Sequence, residues 1–469
     1  MNPHTLTQLA QWADADLLLP SGQDGDQLLA SGVSIDTRTM VSGEVFVPII
    51  GEKMDGHRFL ETAFEKGAVA AFIDRDHPEE LARFRDRPLL LVEDCKVAFQ
   101  TLAQNYRKSL SCTVIGVTGS NGKTTTKDIL YSVFRSHYET IKTTGNLNNE
   151  IGVPRTLLDL KEETEVAIVE MGMSQRGEIE ALTQMARPHI AVITNVGLSH
   201  LDSLGSREAI AQAKMEIIDR MGPNDYLLYN RDSDYLANEI DRRQQAGDLN
   251  VQVISFGQKE EADIHLHLLR SHAGGSLFTL DGQEFKINLL GSYQMYNAAP
   301  AIIAARLMGL DDSEIRAGLQ VSDQTKMRSE LVHATGFDIL VDCYNSSPQS
   351  LGEALQTTAL LAGYRKKIAI LGDMLELGPN EKKLHYEMGR RIDPAVFQDV
   401  IFYGPLSKYM MEGAASLFPP GHLFWFDKKN DLVDRAKYLI EPATLVLVKA
   451  SRSMRLEEIV ESIQVRNAR

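Results

Sequence analysis

The segment from Thr113 to Phe134, TVIGVTGSNGKTTTKDILYSVF, constrains the fold of this chain more than any other feature. An apolar strand pattern enters a glycine-containing turn and continues into a helical pattern. In such a unit, backbone N–H groups curl around phosphate oxygens and the helix N-terminus adds positive potential. A lysine reaches the terminal phosphates, and the hydroxyl beside it can bind Mg²⁺. We therefore predict a phosphate-binding loop formed by Gly119, Ser120, Asn121, Gly122, Lys123, Thr124 and Thr125.

The spacing of the glycines in this loop differs from that of the strict P-loop motif. A strict GxxxxGK[ST] motif would place glycine at position 117, where this chain has Val117. Gly116 lies one residue earlier, and Gly119 is an additional glycine inside the loop. This spacing argues against a generic P-loop NTPase. An ordinary glycine-rich turn between a strand and a helix is the structural alternative.

The surrounding pattern predicts an α/β protein of three domains. The apolar segments EVAIVEMG and IAVITNVG alternate with helical patterns, which is typical of a parallel sheet covered by helices. We predict a small N-terminal α/β domain at 1–97, a central P-loop ATPase-type parallel sheet at 98–320 and a Rossmann-like C-terminal domain at 321–469. Within the central domain, residues 251–290 have the pattern of antiparallel strands.

Composition excludes several classes of partner. Among 469 residues, 49 Lys and Arg against 64 Asp and Glu give a net charge of −15. That surface disfavours nucleic-acid binding and anionic membranes. The three cysteines include no CxxC pair, and no apolar stretch reaches the length of a membrane span. The sequence start also lacks the pattern of a signal peptide. We expect a cytoplasmic protein without membrane insertion and without a nucleic-acid partner.

Three further side chains are candidates for metal chemistry. Glu170 follows the apolar run VAIV and is predicted at the carboxyl end of a strand, where ligands of open α/β sheets bind. His200 follows the next strand, in a loop of small residues. Lys214 falls on the apolar stripe of a predicted helix, although a buried ammonium is costly. The alternatives are a solvated glutamate, an ordinary loop histidine and a lysine whose stem is buried and whose charge reaches water.

The motif TGSNGKTTT resembles the ATP-dependent Mur ligases and their folylpolyglutamate synthase relatives. The resemblance continues through TTGNLNNEIGVP (143–154), VEMGMSQRGEI (169–179), ITNVGLSHLDSLGS (193–206) and AKMEI (213–217). The outer segments 34–68, 371–389 and 448–460 are similar to the branch of this family that joins D-alanyl-D-alanine to UDP-MurNAc-tripeptide. The DNPR-type motif of the neighbouring branch is not found.

This resemblance implies ATP and Mg²⁺ as cofactors, an acyl-phosphate intermediate, and the UDP-linked tripeptide and D-alanyl-D-alanine as partners. It implies catalytic roles for Lys123, Glu170, His200 and Lys214, with Mg²⁺ held by Thr124, Glu170, His200 and Lys214. It also implies carbamylation of Lys214 by CO₂. Beyond the phosphate loop, the resemblance implies that the nucleotide is contacted by Asn297, Arg328, Asp342, Tyr344 and Asn345. It implies that the UDP-linked substrate is contacted by Asp36, Thr37, Arg38, Asp55, Gly56, His57, Asn146, Asn148 and Asn149.

Two segments depart from the family pattern. Many relatives carry a His-Asn pair after the glycine of the adenine-side motif, where this chain reads GSYQMYN at 291–297, and many carry DDSYNANP where this chain reads VDCYNSSP at 341–348. Lys449, Ser451 and Arg452 follow the last predicted strand and can meet phosphate or carboxylate, or simply form a cationic helix start.

Two alternatives to the assigned branch remain: another Mur or folylpolyglutamate-type ligase, and a nucleotide-gated binding protein without ligase activity. We expect a monomer.

Overall fold

Three parallel or mostly parallel sheets follow one another along the chain in the computed structural model, which describes residues 1–272, 274–321 and 326–464. The first sheet has the order β2-β7-β6-β5-β4, with only β2 antiparallel to its neighbour, and β1 pairs with β3 beside it. Its elements are β1 (His4–Thr5), α1 (Leu6–Ala13), β2 (Asp16–Leu18), β3 (Leu29–Ala30), β4 (Gly32–Ser34), β5 (Glu44–Phe46), α2 (Leu60–Glu65), β6 (Ala70–Asp74), α3 (Pro78–Arg83), β7 (Leu89–Val92) and α4 (Cys95–Ser109).

The second sheet has the order β16-β15-β14-β13-β12-β11-β8-β10-β9. Its elements are β8 (Thr113–Thr118), α5 (Lys123–Phe134), β9 (Thr140–Lys142), α6 (Gly152–Leu158), β10 (Val166–Glu170), α7 (Glu178–Ala186), β11 (Ile190–Ile193), α8 (Leu201–Leu204), α9 (Arg207–Met215), β12 (Tyr226–Asn230), α10 (Asp234–Ala246), β13 (Gln252–Gly257), β14 (Ile264–His272), β15 (Gly275–Leu280), β16 (Gln283–Ile287), α11 (Gln294–Leu307) and α12 (Asp312–Gln320).

The third sheet has the order β17-β18-β22-β19-β20-β21. Its elements are β17 (Glu330–Ala334), β18 (Phe337–Asp342), α13 (Pro348–Leu360), β19 (Lys366–Gly372), α14 (Glu381–Gly389), β20 (Asp399–Tyr403), α15 (Ser407–Ala414), β21 (Leu423–Phe426), α16 (Lys429–Leu439), β22 (Thr444–Lys449) and α17 (Glu457–Gln464). Short 3₁₀ helices lie at Gly56–Phe59, Glu216–Ile218, Gly378–Asn380 and Arg452–Met454.

Strand β8 has parallel neighbours on both sides. Ile115 is opposite Ile168 of β10 and Ile190 of β11, and all three side chains are buried. Helices α5 and α11 cover one face of the sheet, and α4, α6 and α7 lie with the core of the other face. Because parallel strands end at one edge, the carboxyl ends of β8, β10 and β11 meet there. This edge carries the phosphate loop, Glu170 and the loop that contains His200.

The α/β class with parallel sheets is confirmed, but the prediction for residues 251–290 is wrong in part. Strand β13 is parallel to β12, and β14 begins parallel to β13; only β14, β15 and β16 pair in antiparallel fashion. Alternation of apolar and polar residues identifies a half-exposed strand, but it does not encode the direction of the neighbour. Strand β17 is an additional antiparallel edge strand. The domain boundaries at 97 and 320 stay a prediction. In the part of the chain described here, no helix combines the length and hydrophobicity that a bilayer crossing requires.

Candidate active site

The phosphate loop depends on two glycines with positive φ. Gly119 has φ of 147° and Gly122 has φ of 83°. A Cβ at Gly119 would collide with the Thr194 hydroxyl, and one at Gly122 would collide with Asn297 Oδ1. Glycine is therefore required at both positions for conformation and for space. Helix α5 begins directly after Gly122 without a side-chain cap, which leaves its first N–H groups available to an anion.

Residues after β11 hold this loop in place, and the sequence interpretation missed them. Asn195 accepts a hydrogen bond from Asn121 N through Oδ1 at 2.9 Å, and its carbonyl accepts one from Ser120 N at 3.0 Å. The Thr194 hydroxyl donates to the carbonyl of Asn121 at 2.5 Å. The polar residues that end the apolar run IAVI were the available signal, because adjacent parallel strands bring their carboxyl ends together.

Lys123 is folded back onto its own loop. Its Nζ donates to the carbonyl of Gly119 at 2.6 Å. Burial lowers the pKa of Lys123, the Glu170 carboxylate opposes that shift, and the Arg328 guanidinium adds to it. A bound phosphate would give the Lys123 ammonium a charged partner in place of its single hydrogen bond to the Gly119 carbonyl. Because charge-assisted hydrogen bonds are stronger, we expect Lys123 to turn from that carbonyl to the phosphate.

Glu170 is the buried carboxylate of the site, and its side chain is 2% exposed. Its Oε1 accepts hydrogen bonds from the Thr124 hydroxyl at 3.2 Å and from Asn148 Nδ2 at 2.9 Å. Its Oε2 has no hydrogen-bond partner among the described residues, and the buried ammonium of Lys127 lies 3.6 Å away. Lys127 was not singled out from the sequence, because TTTKD reads as an ordinary helix start.

His200 and Lys214 lie near the phosphate loop, and burial lowers the pKa of both side chains. Burial lowers the pKa of His200 to about 4, and the charges of Lys214 and Lys123 add to this. Lys214 is 1% exposed. Burial, with a smaller effect of Lys123, places its pKa well below the usual value. Among the described residues no carboxylate lies within ion-pair distance of Lys214. A fully buried ammonium without a counter-ion is unfavourable, so burial favours the neutral form of this amine.

The segment that precedes β17 and the loop that follows β18 complete the site from the other side. Arg328 Nη2 donates to the Thr124 hydroxyl at 3.1 Å, and the guanidinium lies 4.3 Å from the centroid of the Tyr344 ring. Asp342 pairs with the buried Lys449 at 2.6 Å. Lys449 also donates to the carbonyl of Asn345 at 3.0 Å. These contacts position Tyr344 and Asn345 on the wall that faces the phosphate loop.

A cavity of about 520 Å³ lies between these two walls. It contains most of the predicted nucleotide contacts, and its lining includes Ser120, Asn121, Gly122, Lys123, Thr125, Asn148, Glu170, Asn297, Arg328, Asp342, Tyr344 and Asn345. Gly119, Thr124, His200 and Lys214 do not line it. Glu353 also lines the cavity, although the sequence analysis did not identify it. Burial raises the pKa of this carboxyl group to about 7.

The predicted substrate residues Asp36, Thr37 and Arg38 lie in the first sheet region, away from this cavity. Asp36 and Arg38 form a bidentate pair with distances of 2.9 and 2.7 Å. The Arg38 side chain is 87% exposed. The carbonyl of Thr37 accepts a hydrogen bond from Lys66. The exposed guanidinium stays accessible to an anion, but Arg38 does not line the cavity beside the phosphate loop.

Asp55, Gly56 and His57 form a second group in the same region. The ring of His57 is buried, with Nδ1 2.8 Å from Asp55 Oδ1. Its Nε2 accepts a hydrogen bond from the backbone N–H of Asp74 at 3.1 Å, so the proton is on Nδ1. A Cβ at Gly56 would lie 2.7 Å from the carbonyl oxygen of Ile49. His57 thus has both ring nitrogens engaged within the protein.

The three predicted asparagines have different environments. Asn148 reaches Glu170, as described above. Asn149 Oδ1 instead accepts from Gly152 N at 2.9 Å at the start of α6. The carbonyl of Asn146 accepts from Asn148 N at 2.8 Å. Only Asn148 lines the cavity.

The parallel sheet, the glycine loop on its carboxyl edge and the buried lysine and carboxylate define a nucleotide-binding α/β protein of the P-loop class. Comparison with protein families matches the descriptions "Mur ligase family, catalytic domain" to residues 30–107, "Mur ligase middle domain" to 117–305 and "Mur ligase, glutamate ligase domain" to 327–452. The chain belongs to the Mur ligase family.

Relatives match over almost the whole chain. A Bacillus subtilis protein named UDP-N-acetylmuramoyl-tripeptide--D-alanyl-D-alanine ligase is 40% identical over 466 residues, which is 99% of each protein. The Escherichia coli protein of that name is 30% identical over 98% of each. Among solved structures, MurF from Acinetobacter baumannii superposes with a TM-score of 0.87 at 26% identity, covering 99% of this chain and 100% of that one. MurF from Thermotoga maritima in complex with ADP gives 0.78 at 29% identity, covering 92% and 97%.

Proposed function

We propose that this chain is an ATP-dependent, ADP-forming ligase that joins D-alanyl-D-alanine to UDP-MurNAc-tripeptide in peptidoglycan precursor synthesis. The observation that carries the proposal is the full-length likeness to ligases of that name, at 40% identity, on a chain whose phosphate loop and buried carboxylate converge in one cavity. We further propose that the protein is cytoplasmic. We also propose that the protein acts as a monomer.

The residues present fit ATP and Mg²⁺. Gly119 and Gly122 provide space where any Cβ would collide. Glu170 Oε2 is a buried carboxylate oxygen that accepts no hydrogen bond from the described residues, and Oε1 of the same carboxylate accepts one from the hydroxyl of Thr124. Carboxylate and hydroxyl oxygens are the ligands that Mg²⁺ prefers. Thr124 and Glu170 would hold one ion, and the neutral His200 would support a second. Bound Mg²⁺ neutralises charge on the phosphates.

The reaction has two bond-forming steps. A carboxylate oxygen of the tripeptide attacks the γ-phosphorus of ATP, the bond to the β-phosphate oxygen breaks, and ADP and an acyl phosphate form. The free amine of D-alanyl-D-alanine then attacks the activated carbonyl. The tetrahedral intermediate expels phosphate, and the amine proton passes to water. No residue of the chain becomes covalently attached to a substrate.

The chain supplies positioning and charge. Backbone N–H groups at the start of α5 and the Lys123 ammonium bind the phosphates. Arg328 approaches from the opposite wall, where it contacts both Thr124 and the Tyr344 ring. Asp342, Tyr344, Asn345 and Asn297 would surround the nucleoside. We assign Asp36, Thr37, Arg38, Asp55, Gly56 and His57, with Asn146, Asn148 and Asn149, to the UDP-linked substrate.

Lys214 is proposed to be carbamylated. Its amine is buried, and burial lowers its pKa, which favours the neutral form of Nζ that can attack CO₂. Attack forms an N–C bond as one C–O π bond of CO₂ opens, and transfer of the amine proton to water gives a carbamate anion, at a place where no carboxylate of the described residues lies within ion-pair distance. Such an anion would compensate the positive charge of Lys123, whose electrostatic effect reaches Lys214. Carbon-13 NMR of protein equilibrated with ¹³CO₂, for the wild type and Lys214→Met, tests this step independently of turnover.

The ligase proposal is tested by phosphate release from Mg-ATP. Release that requires both UDP-MurNAc-tripeptide and D-alanyl-D-alanine, with a product heavier by the dipeptide, is the expected result. Release that follows a different amino acid would move the chain to another branch of the family. Nucleotide binding without release under any condition would identify a nucleotide-gated binding protein.

A further inference from the structure

Helix α5 carries a second buried lysine, one turn after the phosphate loop. Lys127 follows Lys123 and Thr124 at the spacing that places side chains on one face of a helix. Its side chain is only 2% exposed. Lys123 lines the cavity, whereas Lys127 does not. The ammonium of Lys127 is therefore a fixed interior cation and not a part of the cavity surface.

Two carboxylates lie within ion-pair distance of this ammonium. Glu170 Oε2 is 3.6 Å from Lys127 Nζ, and Asp128 Oδ1 is 3.7 Å from it. Asp128 in turn pairs with Lys142 Nζ at 2.7 Å. The charges of these side chains alternate in sign and cancel. A buried carboxylate is costly unless a cation lies close to it, and Lys127 supplies that cation to Glu170.

This arrangement leaves little negative charge beside the phosphate loop for a metal ion that arrives alone. Glu170 Oε2 accepts no hydrogen bond from the described residues, so it can serve as a ligand oxygen. Its charge, however, is already balanced by Lys127. Lys123 and Arg328 line the same cavity and add positive charge. Because like charges repel strongly where water is excluded, a divalent cation should bind here only together with an anionic ligand.

We propose that Lys127 is a positioning residue that acts through Glu170. It keeps the buried carboxylate paired in the metal-free protein, and its charge keeps the affinity of this site for free Mg²⁺ low. The phosphates of a nucleotide bring the negative charge that offsets this repulsion, so the ion binds with the nucleotide and not before it. The inference rests on the proposed function, in which Thr124 and Glu170 hold Mg²⁺, and it adds the residue that sets the order of binding.

The test measures the dissociation constant of Mn²⁺, used in place of Mg²⁺, in the absence of nucleotide. The electron paramagnetic resonance signal of the free ion reports it. We expect Lys127→Met to bind Mn²⁺ about tenfold more tightly than wild type, because a like charge is removed from beside the ligand oxygen. Lys127→Gln also loses the charge and replaces Lys127→Met if that variant does not fold. Lys142→Met is the matched control, since Lys142 is 26% exposed and pairs with Asp128; its constant should stay within about twofold of wild type.

A double variant assigns the gain in affinity to Glu170. Lys127→Met combined with Glu170→Gln removes both charges and should lose the gained Mn²⁺ affinity. Thermal unfolding gives an independent readout. Lys127→Met should unfold at a lower temperature than wild type, because Glu170 is left buried without a cation, and saturating Mn²⁺ should restore most of that loss. Mn²⁺ should have no such effect on the double variant.

Several results would overturn the inference. Equal Mn²⁺ constants in Lys127→Met and wild type would show that Lys127 does not limit metal binding, and weaker binding in the variant would show that it helps to form the site. A loss of stability that Mn²⁺ does not restore would indicate a purely structural lysine. A gain in affinity that persists after Glu170→Gln would place the ion on other residues.

This inference and the proposed function fail in different ways. If Mn²⁺ does not raise the affinity of wild type for ADP, the metal site assigned to Thr124 and Glu170 falls and takes this inference with it. If Mn²⁺ does so and Lys127→Met binds the free ion like wild type, only the role of Lys127 is rejected. The ligase reaction is judged separately, by phosphate release in the presence of both substrates.

Discussion

Arg328 donates a hydrogen bond of 3.1 Å to the hydroxyl of Thr124, so the segment before the third sheet contacts the second residue of helix α5. The same guanidinium lies over the ring of Tyr344, and its Nε has no partner among the described residues. This side chain joins the two walls of the cavity. A planar guanidinium in this position can donate two hydrogen bonds in a fixed fork to one phosphate, and a lysine ammonium lacks this bidentate geometry.

We predict that Arg328→Lys raises KM for ATP about tenfold, because the bidentate donor geometry is lost although the positive charge is kept. The unfolding temperature should change little, because the side chain is only partly buried. Steady-state kinetics with ATP varied measure the effect. Arg220→Lys, on the surface and away from the cavity, should show wild-type values. Equal KM values in both variants would contradict the role given to Arg328.

The glycine loop allows a matched pair of substitutions. Gly122 and Gly177 have nearly the same φ, at 83° and 86°, and each precedes a helix. A Cβ at Gly122 would collide with Asn297, whereas a Cβ at Gly177 meets nothing within 4 Å. We expect Gly177→Ala to lose about 1 kcal/mol of unfolding free energy and keep nucleotide affinity. Gly122→Ala should lose more stability and most nucleotide binding. Urea unfolding and titration with ADP distinguish the two.

We predict that replacing Lys214 raises the stability of the protein and lowers its ligase activity. The buried amine gives up hydration without gaining a carboxylate partner among the described residues. Lys214→Met fills a similar volume without that cost, so we expect the free energy of unfolding to rise by about 1–3 kcal/mol. Ligase activity should fall strongly in the same variant. Denaturant unfolding and phosphate release measure the two effects. A variant that is both destabilised and fully active would contradict this account.

Glu353 gives a pH dependence with a definite sign. Burial raises its pKa from an ordinary value of 4.5 to about 7. Between these values the folded state binds more protons than the unfolded state, so the free energy of unfolding falls as pH rises from 4.5 to 7. Glu353→Gln cannot ionise, so its free energy of unfolding lacks this pH dependence. We therefore expect the difference in the free energy of unfolding, variant minus wild type, to be about 1–3 kcal/mol more positive above pH 7 than at pH 4.5.

Urea unfolding of both proteins at pH 4.5, 6 and 8 provides the measurement. Glu387→Gln serves as the control because its carboxylate is exposed. A constant difference between Glu353→Gln and wild type across this range would show that Glu353 is not held protonated by the fold.

The sequence predicted the site best where chemistry and local structure coincide. The phosphate loop and Glu170 follow strands, and parallel pairing brings strand ends together without further information. The parallel direction of β13 and the antiparallel β17 were missed because apolar periodicity carries no information about neighbours. Lys127 and Asn195 were missed for a related reason. Their roles come from residues 40 or more positions away, and single-sequence patterns record only local order.

Strand β8 is hydrogen-bonded on both sides, and Val114, Ile115 and Val117 are completely buried. Amides in such a strand exchange with solvent only when the whole surrounding sheet opens. The loop that follows it is therefore attached to the most slowly exchanging part of this region. Local unfolding of the outer strands should leave the nucleotide site intact, and deuterium uptake in the peptide that contains β8 should report the global opening of the central region.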